Sequence, residues 1–295
     1  MGVIFQAGYT LPGGDMPLTH ARIAHSGNWL AGGTVRADDG SNLLMETTDD
    51  LLLEDGVSFI LLEGQNATAS GYVSLAPSNS LTYERWKPGA LPATWEYDNG
   101  SAALCDYCCI GAHTMGTNGN TLQVQYWSGA AWVDLIPATA ITNDMAIMAI
   151  FGQQTRQRWR IVVSNGTAPE IGVIKFGRAM QMTRPIFGGH TPVDLGRQTQ
   201  IRANYSETGE FLGRTRQRVQ MASTFSWQHL DDAWIRSTFR PFQKAVEAEP
   251  FFIAWRPLAY SEVALCQTDE VPIPQNMGVR NLMNVQLTVR ALAYD

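Results

Sequence analysis

Long apolar runs are missing from this chain of 295 residues. Nothing in it approaches the roughly 20 consecutive apolar residues of a membrane-spanning helix. The opening MGVIFQAGYTLPGGDM also lacks a basic segment followed by a long apolar one, so a soluble chain without a signal peptide is expected. Clusters of Lys and Arg are missing too. With 21 basic against 27 acidic residues the net charge is −6, which disfavours wrapping nucleic acid, because neutralising a phosphate backbone needs a basic face. There is no GxSxG, no HExxH, no P-loop, and no GxGxxG in a strand-turn-helix setting. The five histidines, His20, His25, His113, His190 and His229, are scattered. No catalytic residue, cofactor or metal is therefore expected. Cysteine is scarce: Cys105, Cys108 and Cys109 share the stretch CDYCC, and Cys266 lies far away. Zinc would want a second pair or histidines at ligand spacing, and only His113 is close. CDYCCIGAH reads best as a buried strand in which Cys is a small hydrophobe, with redox, disulfide and metal roles as the alternatives.

What is present is globular. Apolar residues make up 45% and charged residues 16%, far from the signature of disorder, and the length favours two domains. Between Asp38 and Glu63 there are eight acidic residues, and no Lys or Arg occurs between Arg36 and Arg85. A loose repeat, LLME at Leu43, LLLE at Leu51 and ILLE at Ile60, predicts short strands and turns forming an insertion over 38–70. A calcium site is the alternative, but the regular Asp spacing and central Gly of a calcium loop are missing.

From about Tyr72 to Met182 the pattern is β. LQVQYW alternates at Leu122, Val124 and Tyr126; RWRIVVSNG alternates at Trp159, Ile161 and Val163; EIGVIKFG follows. Short strands punctuated by Gly, Asn and Ser predict an antiparallel sandwich or jelly roll. The succession TYERWKPGALPATWEYDNG, DYCCIGAHTMGTNGNTLQVQYWSGAAWVDL, QRWRIVVSNG and EIGVIKFG resembles the discoidin-like, galactose-binding-type jelly roll over 18–182. The resemblance implies that Trp86 plugs the core beneath the loops, and that Glu84 and Glu96 are not a matched acid and base. It also implies that a glycan would meet the loops at one end of the sandwich. Tyr83, Arg85, Lys87, His113 and Asn118 are the candidates there, since an aromatic with a polar rim suits a sugar ring.

Residues 183–295 differ in balance, with 12 basic against 11 acidic residues. Arg214, Arg216 and Arg218 are spaced to share one pleat face, as a partner contact or as a solvated strand edge. LDDAWIRSTFRPFQKAVEAE predicts an amphipathic helix over about 231–248, capped by Asp231 or Asp232 and kinked or split by Pro241. Its stripe of Leu230, Trp234, Ile235, Phe239, Phe242 and Val246 should pack on a sheet made by PFFIAWRP, EVALC and NLMNVQLTVRALAY.

GGHTP, SETGEFLGRT and FFIAWRPLAYSEVALC resemble minor tail proteins of long-tailed bacteriophages, in particular the tail-tip group that includes distal tail proteins. That resemblance implies a mainly β fold, a jelly roll plus a tail-tube-like β domain with one helix. It implies a ring-forming homo-oligomer at the virion tail tip, assembled in the host cytoplasm and contacting tail tube and hub proteins. DNA would pass only as cargo, and the jelly roll would touch a host-surface glycan. Distal tail proteins usually place the ring domain first, so residues 1–17 are expected to lend a strand to the C-terminal domain, making the jelly roll a long insertion. The alternative is a carbohydrate-binding module of a secreted or surface glycan-active enzyme. Residues 183–295 lack the convergent carboxylates that such an enzyme would need.

Overall fold

The computed structural model describes residues 2–38, 75–278 and 280–293. In chain order its strands are β1 (Val3–Phe5), β2 (Arg22–Ala24), β3 (Thr34–Asp38), β4 (Ala93–His113), β5 (Thr121–Trp127), β6 (Trp132–Ala140), β7 (Ile147–Ser164) and β8 (Ile171–Gly177). Then come β9 (Met180–Gln181), β10 (Arg197–Tyr205), β11 (Phe211–Asp231), β12 (Phe251–Ala254), β13 (Val263–Gln267), β14 (Gln275–Asn276) and β15 (Leu282–Ala291). The chain is mainly β and its sheets are antiparallel but for β1, as the alternating sequence predicts. The acidic insertion expected over 38–70 lies, beyond Asp38, outside the described residues.

The first sheet runs β3-β4-β7-β5-β6, with β8 also on β4 and β1 parallel to β7. Its spine is the pairing of β4, 21 residues long, with β7, 18 residues long. Register shifts between Asp98 and Ala103, and between Cys105 and Tyr107, divide that pairing into three blocks, the middle one only three residues long. The first half of β4 lies beside β3, and the second half beside β8. Trp95, Leu122, Val124, Trp159 and Ile161 from one half meet Cys108, Ile110, Ile147, Phe151 and Phe176 from the other in a single buried cluster. Trp159 stacks on both Phe151 and Phe176, at 6.1 Å to each. This is the jelly-roll core, and Trp86 is fully buried in it, bridged by backbone to Ile171.

The second sheet runs β10-β11-β15-β13-β12-β2-β9. Here the structure corrects the expected N-terminal role. Residues of β1 pair with β7 in the jelly roll, and it is β2 that pairs with β12 of the second sheet. Since β9 pairs with β2, the second sheet takes strands from both sides of the jelly roll, and the expected limits of 18 and 182 enclose two strands that are not part of it.

The two sheets meet face to face. In β4, Cys108 and Ile110 point into the jelly-roll core while Tyr107 and Cys109 point the other way, onto Phe252, Ala254, Val263 and Leu265 of the second sheet. Met148, Ile150 and Val173 join that layer. Burial on both faces is why CDYCCIGAH shows no polar alternation. All four cysteines are buried free thiols, and burial pushes each of them up from the ordinary thiol range. Gly111 lets the sheets approach: a Cβ there would stand 3.0 Å from both Leu265 Cδ2 and Phe252 Cε1.

The opposite face of the second sheet carries the helical stretch. It is α-helical over Asp232–Trp234, π over Ile235–Phe239 and α again over Arg240–Ala245, shorter than the expected 231–248 because β11 continues to Asp231 and the last turn ends at Ala245. The Asp231 carboxylate accepts the Trp234 N–H at 3.1 Å, the cap that the sequence predicts. The π segment precedes Pro241, which has no N–H for the carbonyl four residues earlier and crowds it; a widened turn accommodates the ring. Leu230, Ile235, Phe239, Phe242 and Val246 are buried against Phe225, Trp227, Phe251 and Leu287, and Trp234 packs at the margin. Phe239 is edge-on to Phe242 at 5.3 Å, and Phe242 to Phe251 at 5.1 Å. Truncating Phe239 to Ala should lower the unfolding free energy by about 3–5 kcal/mol, as for a fully buried aromatic. Urea denaturation measures this, and a loss below about 1 kcal/mol would contradict the packing.

Candidate functional site

The loops expected to hold a glycan are tied to one another. Glu170 receives Arg85 at 3.0 Å and Lys87 at 3.6 Å. The Asn118 side chain donates to Thr114 Oγ1 at 3.2 Å and to the Ala168 carbonyl at 3.1 Å, and the Asn118 backbone carbonyl accepts the Thr167 N–H. Asp144 gathers the Gly116 and Thr117 N–H groups at 2.8 and 3.0 Å. His113, expected near a ligand, lies buried beneath these loops. Its Nε2–H reaches the Met145 carbonyl at 2.8 Å, and Nδ1 accepts the Met115 N–H at 3.3 Å. Four of the five expected residues, Arg85, Lys87, His113 and Asn118, therefore brace the loops.

Burial lowers the His113 pKa from its ordinary value to about 4. A ring held neutral in the fold but free to charge when unfolded contributes stability that is complete above about pH 6.5 and lost as pH falls towards 4. We expect the unfolding free energy to fall from pH 7 to pH 5, and His113→Gln to flatten that slope. An unchanged slope in the variant would show that His113 does not carry it.

Tyr83 behaves differently. It is 75% exposed and lines a groove of about 450 Å³ where the jelly roll meets the second sheet. Arg218, Gln220, Gln267 and Arg290 line the same groove from the sheet side. The structure thus brings together one residue from each of two sets that the sequence kept apart. The reason is a β-bulge: Gln200 pairs with Arg218 and Ile201 with Arg216, so Gln217 is the extra residue of β11. Directly paired residues share a face, so Arg214 and Arg216 lie with Ala203 and Ile201, while Arg218 lies with Gln200 on the opposite face. The expected single row of three arginines is corrected to a pair and one.

Sequence reasoning also missed a ladder on the outer face of the jelly roll. Trp127 and Trp132 pair across the turn Ser128–Ala131 with ring centroids 5.4 Å apart. Arg158 lies over both rings, and Arg160 lies 4.1 Å over Trp132. Two tryptophans flanking a four-residue turn, opposite RQRWR, were the available signal. Glu96 belongs to this ladder through Arg158 at 2.6 Å, and Glu84 accepts from Asn79 at 2.6 Å, so the two glutamates have separate structural partners. Among the described residues no cluster of His, Cys, Asp and Glu is placed to hold a metal, and no helix is long and apolar enough to cross a membrane.

No family model and no curated protein matches the chain. Solved structures of similar shape include the crystal structure of SpGH29, at 14% identity and TM-score 0.37, covering 53% of this chain and 29% of that one. Another is CBM32-1 from a family 31 glycoside hydrolase of Clostridium perfringens, at 10% identity and TM-score 0.34, covering 38% of this chain and 89% of that one. A third is chitosan-binding module 1 from a chitosanase/glucanase of Paenibacillus sp. IK-5, at 14% identity and TM-score 0.32, covering 50% and 97%. This chain spans under a third of the first of these. At such values the fold description rests on the strand order itself.

Proposed function

We propose that the chain is a non-catalytic structural protein that assembles with copies of itself through the β10–β11 hairpin and displays its jelly roll outward. One observation supports this most. The hairpin extends beyond the packed core: every residue of β10 is exposed, as are Ile201, Tyr205, Phe211 and Leu212 at 50–67%. β10 is also the end strand of its sheet, so nine residues of backbone edge are open to pairing.

Charge favours a second copy as the occupant. From Arg197 to Arg218 there are five arginines and two glutamates, in a chain whose net charge is −6, so the arm is attracted to the body of its neighbour. A head-to-tail contact of this kind closes into a ring when the rotation allows. The resemblance of 183–295 to tail-tip proteins supplies the setting: a ring at the virion tail tip between tube and hub proteins, with DNA passing through as cargo. A second reading, a carbohydrate-binding module, is favoured by the groove beside Tyr83.

Size-exclusion chromatography with light scattering separates the two. The parent protein should run as a multimer that dissociates as salt is raised, because exposed charge pairs are screened. Arg214→Glu combined with Arg216→Glu should give a folded monomer. A parent protein that is monomeric at high concentration and low salt would remove the assembly reading and leave the binding module.

A further inference from the structure

The groove at the junction of the two sheets has a chemistry of its own. Its floor is the face of the second sheet that packs on the jelly roll, continued past the contact. Leu265 lies in the apolar layer, and Gln267, two residues on, is level with Arg290. Next along that face come Gln220, paired with Gln198, and Arg218, paired with Gln200. An adjoining hollow of about 300 Å³ is lined by Gln198, Gln200, Arg218, Gln220 and Arg290. The wall on the other side is the jelly-roll segment Ser80–Tyr83.

We propose that this groove binds an acidic oligosaccharide, with Arg218 and Arg290 receiving its carboxylates, the glutamine amides reading its hydroxyls and Tyr83 stacking on a sugar ring. The proposal rests on the second reading, that of a carbohydrate-binding module, and goes beyond it in naming the ligand class and the place. No acidic residue lines either hollow, so two guanidinium groups meet there without a carboxylate in the lining, in a chain that is acidic as a whole. Asp269 reaches Arg290 from the rim at 2.5 Å and is itself half exposed, leaving that guanidinium with further donors to offer.

The amides suit a polyol. Gln220 donates to Gln198 at 3.2 Å, while its own Oε1 is buried without a hydrogen-bond partner, an acceptor that a hydroxyl would satisfy. Tyr83 offers an exposed aromatic face at the edge of this polar floor, the amphipathic pairing that a pyranose ring uses. The volume of about 450 Å³ is in the range of small-ligand clefts, which favour junctions between domains.

The test is isothermal titration of the full chain with a galacturonic acid tetrasaccharide, a neutral galactose tetrasaccharide and a single-stranded oligonucleotide. The uronate should bind at least about tenfold more tightly than the neutral sugar, in keeping with charge-assisted hydrogen bonds to guanidinium groups. Arg218→Gln and Arg290→Gln should each weaken it about tenfold. Tyr83→Ala should weaken both sugars. Arg218 faces away from Arg214 and Arg216, so Arg218→Gln should keep the parent's size in solution, separating loss of ligand from loss of assembly. Equal binding of the two sugars, or tighter binding of the oligonucleotide, would overturn the acidic-saccharide assignment. Equal sugar binding that Tyr83→Ala abolishes would leave the carbohydrate-binding reading standing. Absence of binding by either sugar at millimolar concentration would overturn both.

Discussion

One half of one strand holds this molecule together. The stretch of β4 from Cys105 to His113 is buried on both faces, with Cys108 and Ile110 in the jelly-roll core and Tyr107 and Cys109 against the second sheet. A strand in that position cannot alternate polar and apolar residues, and it needs small side chains where the layers come close. Three cysteines and Gly111 meet the need. Tyr107 is the large exception, and its hydroxyl is satisfied by Asn28 Oδ1 at 3.0 Å, in the segment after β2. The two sheets are thus joined by a shared buried layer.

The same layering explains why the candidate groove lies where it does. At the loop end of the jelly roll the polar groups are bonded to one another, with Glu170, Asp144 and Asn118 each holding two or more partners. Burial of His113 beneath those loops requires a neutral ring and both of its hydrogen bonds. Where the second sheet emerges from under the jelly roll, its face changes from Phe252 and Leu265 to Gln267, Arg290, Gln220 and Arg218 within a few residues. An apolar contact layer ending in a polar floor beside an exposed tyrosine produces a cleft without any dedicated loop.

Much of this was legible in the sequence. Alternation located β5 and β7; the Asp231 cap and the apolar stripe located the helical stretch; CDYCCIGAH announced a buried strand. What was not legible depended on register. A row of arginines two residues apart reads as one face unless a bulge intervenes, and nothing in TRQRVQ signals that Gln217 is the extra residue. The partner of the N-terminal strand was hidden for a similar reason, because VIF and RIA are both three-residue strands and only tertiary packing decides that the first joins the jelly roll and the second the other sheet. The five loop residues were chosen by chemistry and sequence order, and that choice could not foresee that four of them bond within the loops while Tyr83 faces a different element.

Native-state hydrogen exchange on the full chain tests the shared layer most directly. If one doubly buried half-strand couples the two sheets, amides of 105–111, 147–151, 251–254 and 263–266 should open together, with a single free energy equal to that of global unfolding. Exchange of 251–254 and 263–266 at a lower free energy, while 105–111 and 147–151 remain protected, would show two domains that unfold independently and would contradict the account.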